Sequence, residues 1–120
     1  MDTAELMKDI IATYERHGWN LRRVLLRSVT RATVAEPDGV IGGIEPVEAE
    51  VDALWFSRPS HAQREAWELR LIAEQAYALF ELFEADESEE DREAARREME
   101  NRMRDAQSKP AGASNPASRS

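Results

Sequence analysis

Ser57, Ser60 and His61 lie close together, with Asp52 a few residues upstream. A hydroxyl, an imidazole and a carboxylate are the parts of a nucleophilic triad. A triad, however, is defined by geometry, with base, nucleophile and orienting acid in mutual reach. Neighbourhood in sequence does not supply that, so the reading these residues support is a polar turn. His17 and His61 are far apart and share no ligand spacing. The run Glu84-Ala85-Asp86-Glu87-Ser88-Glu89-Glu90-Asp91 lacks the glycine and the spacing of a calcium loop. It reads as the solvated start of a helix. Gly39, Gly42 and Gly43 are not spaced as a phosphate or dinucleotide loop. No Gly-x-Ser-x-Gly elbow is present. No catalytic residue, cofactor or metal is therefore expected.

A second constellation is basic. Arg16, Arg22, Arg23, Arg27 and Arg31 concentrate beside Trp19, and arginines with an aromatic can hold a single strand by charge and stacking. Arg22, Arg23, Arg27 and Arg31 are the candidate nucleic-acid contacts. Residues 2–31 carry six basic and four acidic groups. Residues 36–54 carry six acids and no base, and residues 73–93 carry nine acids and one base. The formal net charge is −8, which opposes attraction to nucleic acid or anionic lipid. The competing reading pairs these arginines with the acidic segments or uses them to guard a sheet edge.

The chain has 120 residues, the size of one domain. Residues 107–120, QSKPAGASNPASRS, hold no large apolar side chain, so a disordered tail is expected after a single domain at 1–106. There is no cysteine, which excludes disulfides and thiolate chemistry and leans towards the cytoplasm. MDTAELMKDI lacks the basic residues and apolar core of a signal peptide. No run reaches the roughly 18 apolar residues of a membrane span.

The elements that must position these groups read as an α+β fold. Leu6, Met7, Ile10, Ile11 and Tyr14 give one apolar helical face over residues 3–17. Asp2 or Thr3 can cap its start, and Gly18 suits its C′ position. Residues 21–29 read as a first strand. Thr30 to Ile44 reads as a loop, with a turn signal at Pro37-Asp38-Gly39 and added freedom at Gly42-Gly43.

Residues 47–57 and 65–72 alternate with period two and are joined by a polar connection containing Pro59. They predict an antiparallel hairpin at the centre of a three- or four-stranded sheet. Matching apolar rows favours a register in which opposed residue numbers sum to 122. Trp55 then opposes Trp67, Ala53 opposes Leu69, Val51 opposes Leu71, and Asp52 opposes Arg70. A one-residue slip would set apolar rows against charge.

Residues 76–83, AYALFELF, suit a buried helix or a strand, and the strand reading makes the sheet a meander. From Ser88 the chain reads as a charged helix with a thin stripe of Ala95, Met99, Met103 and Ala106. Such a stripe packs weakly on its own domain, yet sheets normally bury both faces internally, so helix 3–17 is expected to cover one face and this helix or a second subunit the other. Leu54 and Phe56 occupy a second sheet face that something must cover. Leu54, Phe56, Ala95, Met99 and Met103 are therefore the candidate contacts for a protein partner or a second copy. The functional expectation is a non-catalytic protein-binding or regulatory module. An enzyme or ligand-binding protein with a site assembled by the fold is the alternative, and a weak single-strand binder the third.

Overall fold

A computed structural model describes residues 2–34 and 41–108. Helix α1 spans Thr3–Arg16. Asp2 caps it: its carboxylate accepts from the Glu5 N–H, and the Glu5 carboxylate accepts from the Asp2 N–H. The C-terminal end closes with the Trp19 N–H donating to the Tyr14 carbonyl and the Gly18 N–H donating to that of Glu15. This pair of hydrogen bonds needs a left-handed C′ residue, and Gly18 supplies it at φ 86°. Trp19 then folds back edge-on to Tyr14, with centroids 6.0 Å apart.

Five strands follow: β1 (Asn20–Leu26), β2 (Val47–Glu48), β3 (Ala53–Pro59), β4 (Glu65–Leu71) and β5 (Ala78–Phe83). Their spatial order is β2-β1-β3-β4-β5. β1, β3, β4 and β5 are antiparallel neighbours, so the α+β class and the strand at 76–83 stand. The strand count and one pairing differ from expectation. The alternating stretch 47–57 is two strands on opposite sides of β1, and β2 runs parallel to β1. Residues 49–52 pass over the end of β1, where the Ala49 N–H donates to the Leu26 carbonyl. A strand cannot stay in one ladder while crossing to another, so the alternation breaks there.

The segment read as strand 21–29 also ends early. β1 stops at Leu26, and Ser28–Thr33 form the short helix α2. Of the stretch read as a loop, Ile41 to Ile44 form a tight turn closed by two backbone bonds. Gly42 and Gly43 sit there at φ 58° and 82°. A Cβ on Gly42 would lie 2.8 Å from the tip of the Leu21 side chain, which would have to shift, so the left-handed φ is the main reason for glycine there. The Pro37-Asp38-Gly39 turn lies outside the described residues.

The hairpin register is shifted by two. Ala53 opposes Leu71, Trp55 opposes Leu69, and Ser57 opposes Trp67, so opposed numbers sum to 124 rather than 122. The tip sets this. The Ser60 N–H donates to the Arg64 carbonyl, and Ala62 and Gln63 adopt φ 57° and 59°, which centres the turn on residue 62. An even shift leaves every side chain on its predicted face. Trp55 and Trp67 become diagonal neighbours, still edge-on with centroids 5.7 Å apart. Arg70 opposes Leu54, and Asp52 bonds elsewhere.

The sheet is covered on both faces. Under α1, Met7, Ile10 and Ile11 pack on Val24, Leu26, Leu54 and Phe56. On the other face lies α3 (Glu89–Ser108), whose Met99 and Met103 pack on Trp55, Trp67, Leu69 and Phe83. The helix runs to Ser108, two residues into the segment expected to be a disordered tail.

Candidate interaction surface

The five residues singled out as partner contacts are placed within the fold. Leu54 and Phe56 are fully buried, and Tyr14 stacks on Phe56 at 4.1 Å between centroids. Met99 and Met103 are buried against the sheet, with Ala95 packed beside them. The spare sheet face and the thin helical stripe thus cover surfaces of their own chain. Neither is presented to a partner in this folded form.

The four candidate nucleic-acid arginines have internal partners. A bulge in β1 between Leu21 and Arg23 sends Arg22 and Arg23 towards the same indole. Arg22 lies 5.0 Å from the Trp67 ring centroid and donates to the Ser57 hydroxyl at 2.9 Å. Arg23 pairs with Glu93 at 3.1 Å. Arg27 pairs with Asp52 at 2.8 Å, and Arg31 donates to the Pro46 carbonyl.

Arg96 completes this cluster. It is 2 % exposed, lies 4.4 Å from the Trp67 centroid, and pairs with Glu93 and Glu89. Burial pushes the Glu93 carboxyl up, but hydrogen bonds and charge from Arg23 and Arg96 outweigh it and hold the group below its ordinary value. In the sequence Arg96 is one of several arginines in a charged helix. Its role depends on α3 crossing Trp67, which no local pattern reveals.

The suspected triad is dispersed. The buried Ser57 hydroxyl accepts from Arg22, and Asp52 is engaged by Arg27, Thr30 and Gln107. His61 lies exposed in the 3-10 turn His61–Gln63. Among the described residues, no three metal-ligating side chains converge. On the α1 side, burial and then the Glu68 carboxylate raise the Tyr14 phenol above its ordinary value, and its hydroxyl donates to Glu68.

What remains uncovered is at the far edge of the sheet. α1 packs over β1 and β3, and α3 runs diagonally away from β5. Its Arg92 meets Glu65, its Glu93 meets Arg23, its Glu100 accepts from the Trp55 indole, and its Gln107 meets Asp52. β5 is left as the terminal strand, with Phe80 56 % exposed on the α1 side. Trp19 approaches Phe80 edge-on at 6.4 Å, and Arg58 covers Trp19 at 4.9 Å. A shallow groove of about 480 Å³ runs beside them, lined by Gly18, Arg58, Pro59, Ser60, His61, Ala66 and Phe80. A smaller cavity of about 170 Å³ lies between α1 and the Ile41-Gly42 turn.

The outer edge of β5 can be read from its inner one. The Leu71 N–H donates to the Tyr77 carbonyl, so Tyr77, Leu79, Glu81 and Phe83 turn their backbone groups towards β4. Ala78, Phe80 and Leu82 turn theirs outward. Protected edges carry lysine, proline, a bulge or very short length. β5 is six residues long, reads ALFELF and has one charge. The opposite edge, β2, is only two residues long.

The class of molecule these features define is a small α+β fold with a sheet covered on both faces and, among the described residues, one long edge strand left unpaired. No family model, curated protein or solved structure matches this chain. No helix among the described residues is long and apolar enough to cross a membrane.

Proposed function

We propose that this chain is a non-catalytic protein-binding module whose contact surface is the outer edge of β5 together with the Phe80–Trp19 strip. The observation that carries the reading is the unguarded edge. It pairs three outward-facing residues, Ala78, Phe80 and Leu82, with an aromatic ring that the fold leaves more than half exposed. Such an edge accepts an added strand through main-chain bonds, while alternate side chains set specificity. The expected contact site therefore moves from Leu54, Phe56 and the Met99–Met103 stripe to the strand beyond them.

A photo-reactive amino acid installed at position 80 in the native host tests this. Position 98, an exposed site on α3, serves as the control. Discrete protein adducts at position 80 but not at 98 are expected. No adduct at position 80, or the same adducts at both positions, would remove β5 as the contact surface.

A further inference from the structure

We infer that the strand added to β5 is β5 of a second copy of this chain, antiparallel about a two-fold axis through Phe80, so that two five-stranded sheets become one continuous sheet. The inference rests on the protein-binding reading of the same edge and names its occupant.

Three features of β5 make it complementary to itself. The first is parity. In an antiparallel pair, opposed residues share a face and their numbers sum to a constant. A two-fold axis perpendicular to the sheet keeps each face on its own side, which requires an even sum. The backbone imposes the same condition independently. Ala78, Phe80 and Leu82 point their N–H and C=O groups outward and must meet residues that do likewise. Odd sums would set outward groups against groups already bonded to β4.

The second feature is charge. Among even registers, a sum of 162 would place Glu81 directly against its own copy, and like charges directly opposed are unfavourable. A sum of 158 would set Phe80 against Ala78 and send Leu82 past the end of the strand to residue 76. A sum of 160 avoids both. Phe80 meets Phe80 of the second copy, Ala78 meets Leu82, and Glu81 meets Leu79. All three outward residues of each copy then find outward partners within the strand, and each such pair exchanges two backbone bonds.

The third feature is clearance and closure. α3 meets β5 at its C-terminal end, where Arg92 and Arg96 lie over Phe83, and then crosses the sheet towards Arg23 and Asp52, while α1 packs on β1 and β3, and the backbone groups of Ala78, Phe80 and Leu82 stay on the outer side. Among the described residues each chain offers one such edge, because β2 has only two residues. Self-pairing of a single edge is isologous and closes at two copies, whereas two open edges per chain would build a fibre.

The absence of cysteine in the sequence makes the register directly testable. Directly opposed bonded pairs have Cα atoms about 5.5 Å apart, within disulfide reach. Purified wild-type protein at about 100 μM, a concentration that detects association tighter than roughly that value, should show twice the 13.6 kDa chain mass by light scattering. Phe80→Lys should halve that mass with an unchanged far-ultraviolet circular dichroism spectrum. Phe80→Cys should form a covalent dimer under mild oxidation, because this position alone lies on the axis. Ala78→Cys should not, because it faces residue 82.

A monomeric wild type, a dimer indifferent to Phe80→Lys, or equal cross-linking at positions 78 and 80 would each overturn the self-pairing. A monomer that still gives adducts of other masses at position 80 in the host would leave the protein-binding reading in place and remove only the second copy. Absence of both would remove the two together.

Discussion

Asp52 accepts hydrogen bonds from the Arg27 N–H at 2.8 Å, the Arg27 guanidinium at 2.9 Å, the Thr30 hydroxyl at 2.7 Å and the Gln107 amide at 3.2 Å. These donors explain how a carboxylate is kept 4 % exposed. Burial alone would raise its pKa, but the Arg27 N–H, the Thr30 hydroxyl and the Arg27 guanidinium together hold it below the ordinary 3.8. A carboxyl depressed in the folded state contributes stability that is fully present above its unfolded value. That stability is lost as pH falls through the folded one. Asp52→Asn should cost about 1–3 kcal/mol at neutral pH. The gap between wild type and variant should narrow as urea denaturation is repeated from about pH 5 towards pH 3. A gap that stays constant across that range would show that the charge at Asp52 contributes nothing.

Trp67 belongs to the same scale. Its ring is faced by Arg96, Arg22 and Arg23, touches Trp55, and donates to Glu65 at 2.7 Å. Trp67→Ala should cost roughly 3–5 kcal/mol by chemical denaturation. A loss under about 1 kcal/mol would mean that the core on the α3 side is not centred on this ring. The burial of Trp67 was legible from its place in an alternating strand. Its three arginines were not, because they arrive from β1 and α3, distant in sequence. Asp52 was misplaced for a related reason. Alternation sets it opposite Arg70, whereas the two-residue register shift sets it opposite Ile72, whose N–H donates to its carbonyl, and its carboxylate turns to Arg27.

At the scale of elements, local signals proved informative where the chain satisfies itself locally. The Asp2–Glu5 cap, the Gly18 stop and the Gly42-Gly43 turn each need only a few neighbouring residues. β5 was harder, because AYALFELF has the composition of a helix and a bulky residue on nearly every side. As a strand it buries Phe83 and leaves Phe80 out, a distinction that only pairing with β4 creates. The parallel β2–β1 pair was invisible, since two residues beside a remote strand make no periodic pattern.

Composition does not reveal where α3 ends. Gln107 looks like the first residue of a polar tail, yet its carbonyl accepts from the Asp52 N–H at 3.0 Å while its amide donates to the Asp52 carboxylate. It fastens the last turn of α3 to the β2–β3 crossing. Gln107→Ala should cost about 1–2 kcal/mol. It should also speed hydrogen exchange in the last turn of α3 well before the middle of that helix responds. Uniform exchange along α3, unaffected by the substitution, would show that this side chain does not fasten the helix.

For the whole molecule, the decisive feature is that, among the described residues, one edge strand of the sheet has two residues and the other has six and no strand beyond it. A domain of this size spends its apolar residues on two cores, one on each face. The pairing of β5 with a second copy would extend both faces without a new core, since Phe80 joins the α1 side and Leu79 the α3 side. Where dissociation accompanies unfolding, stability becomes a function of concentration. With an unfolding enthalpy of about 0.7 kcal/mol per residue over two copies, a tenfold increase in protein should raise Tm by roughly 3 °C. Phe80→Lys should abolish that dependence, because the monomer's own contacts to α1 and α3 lie elsewhere. Differential scanning fluorimetry over two decades of concentration distinguishes these outcomes. A flat Tm for the wild type would mean that each copy folds and melts alone, and that the open edge contributes nothing to the stability of the fold.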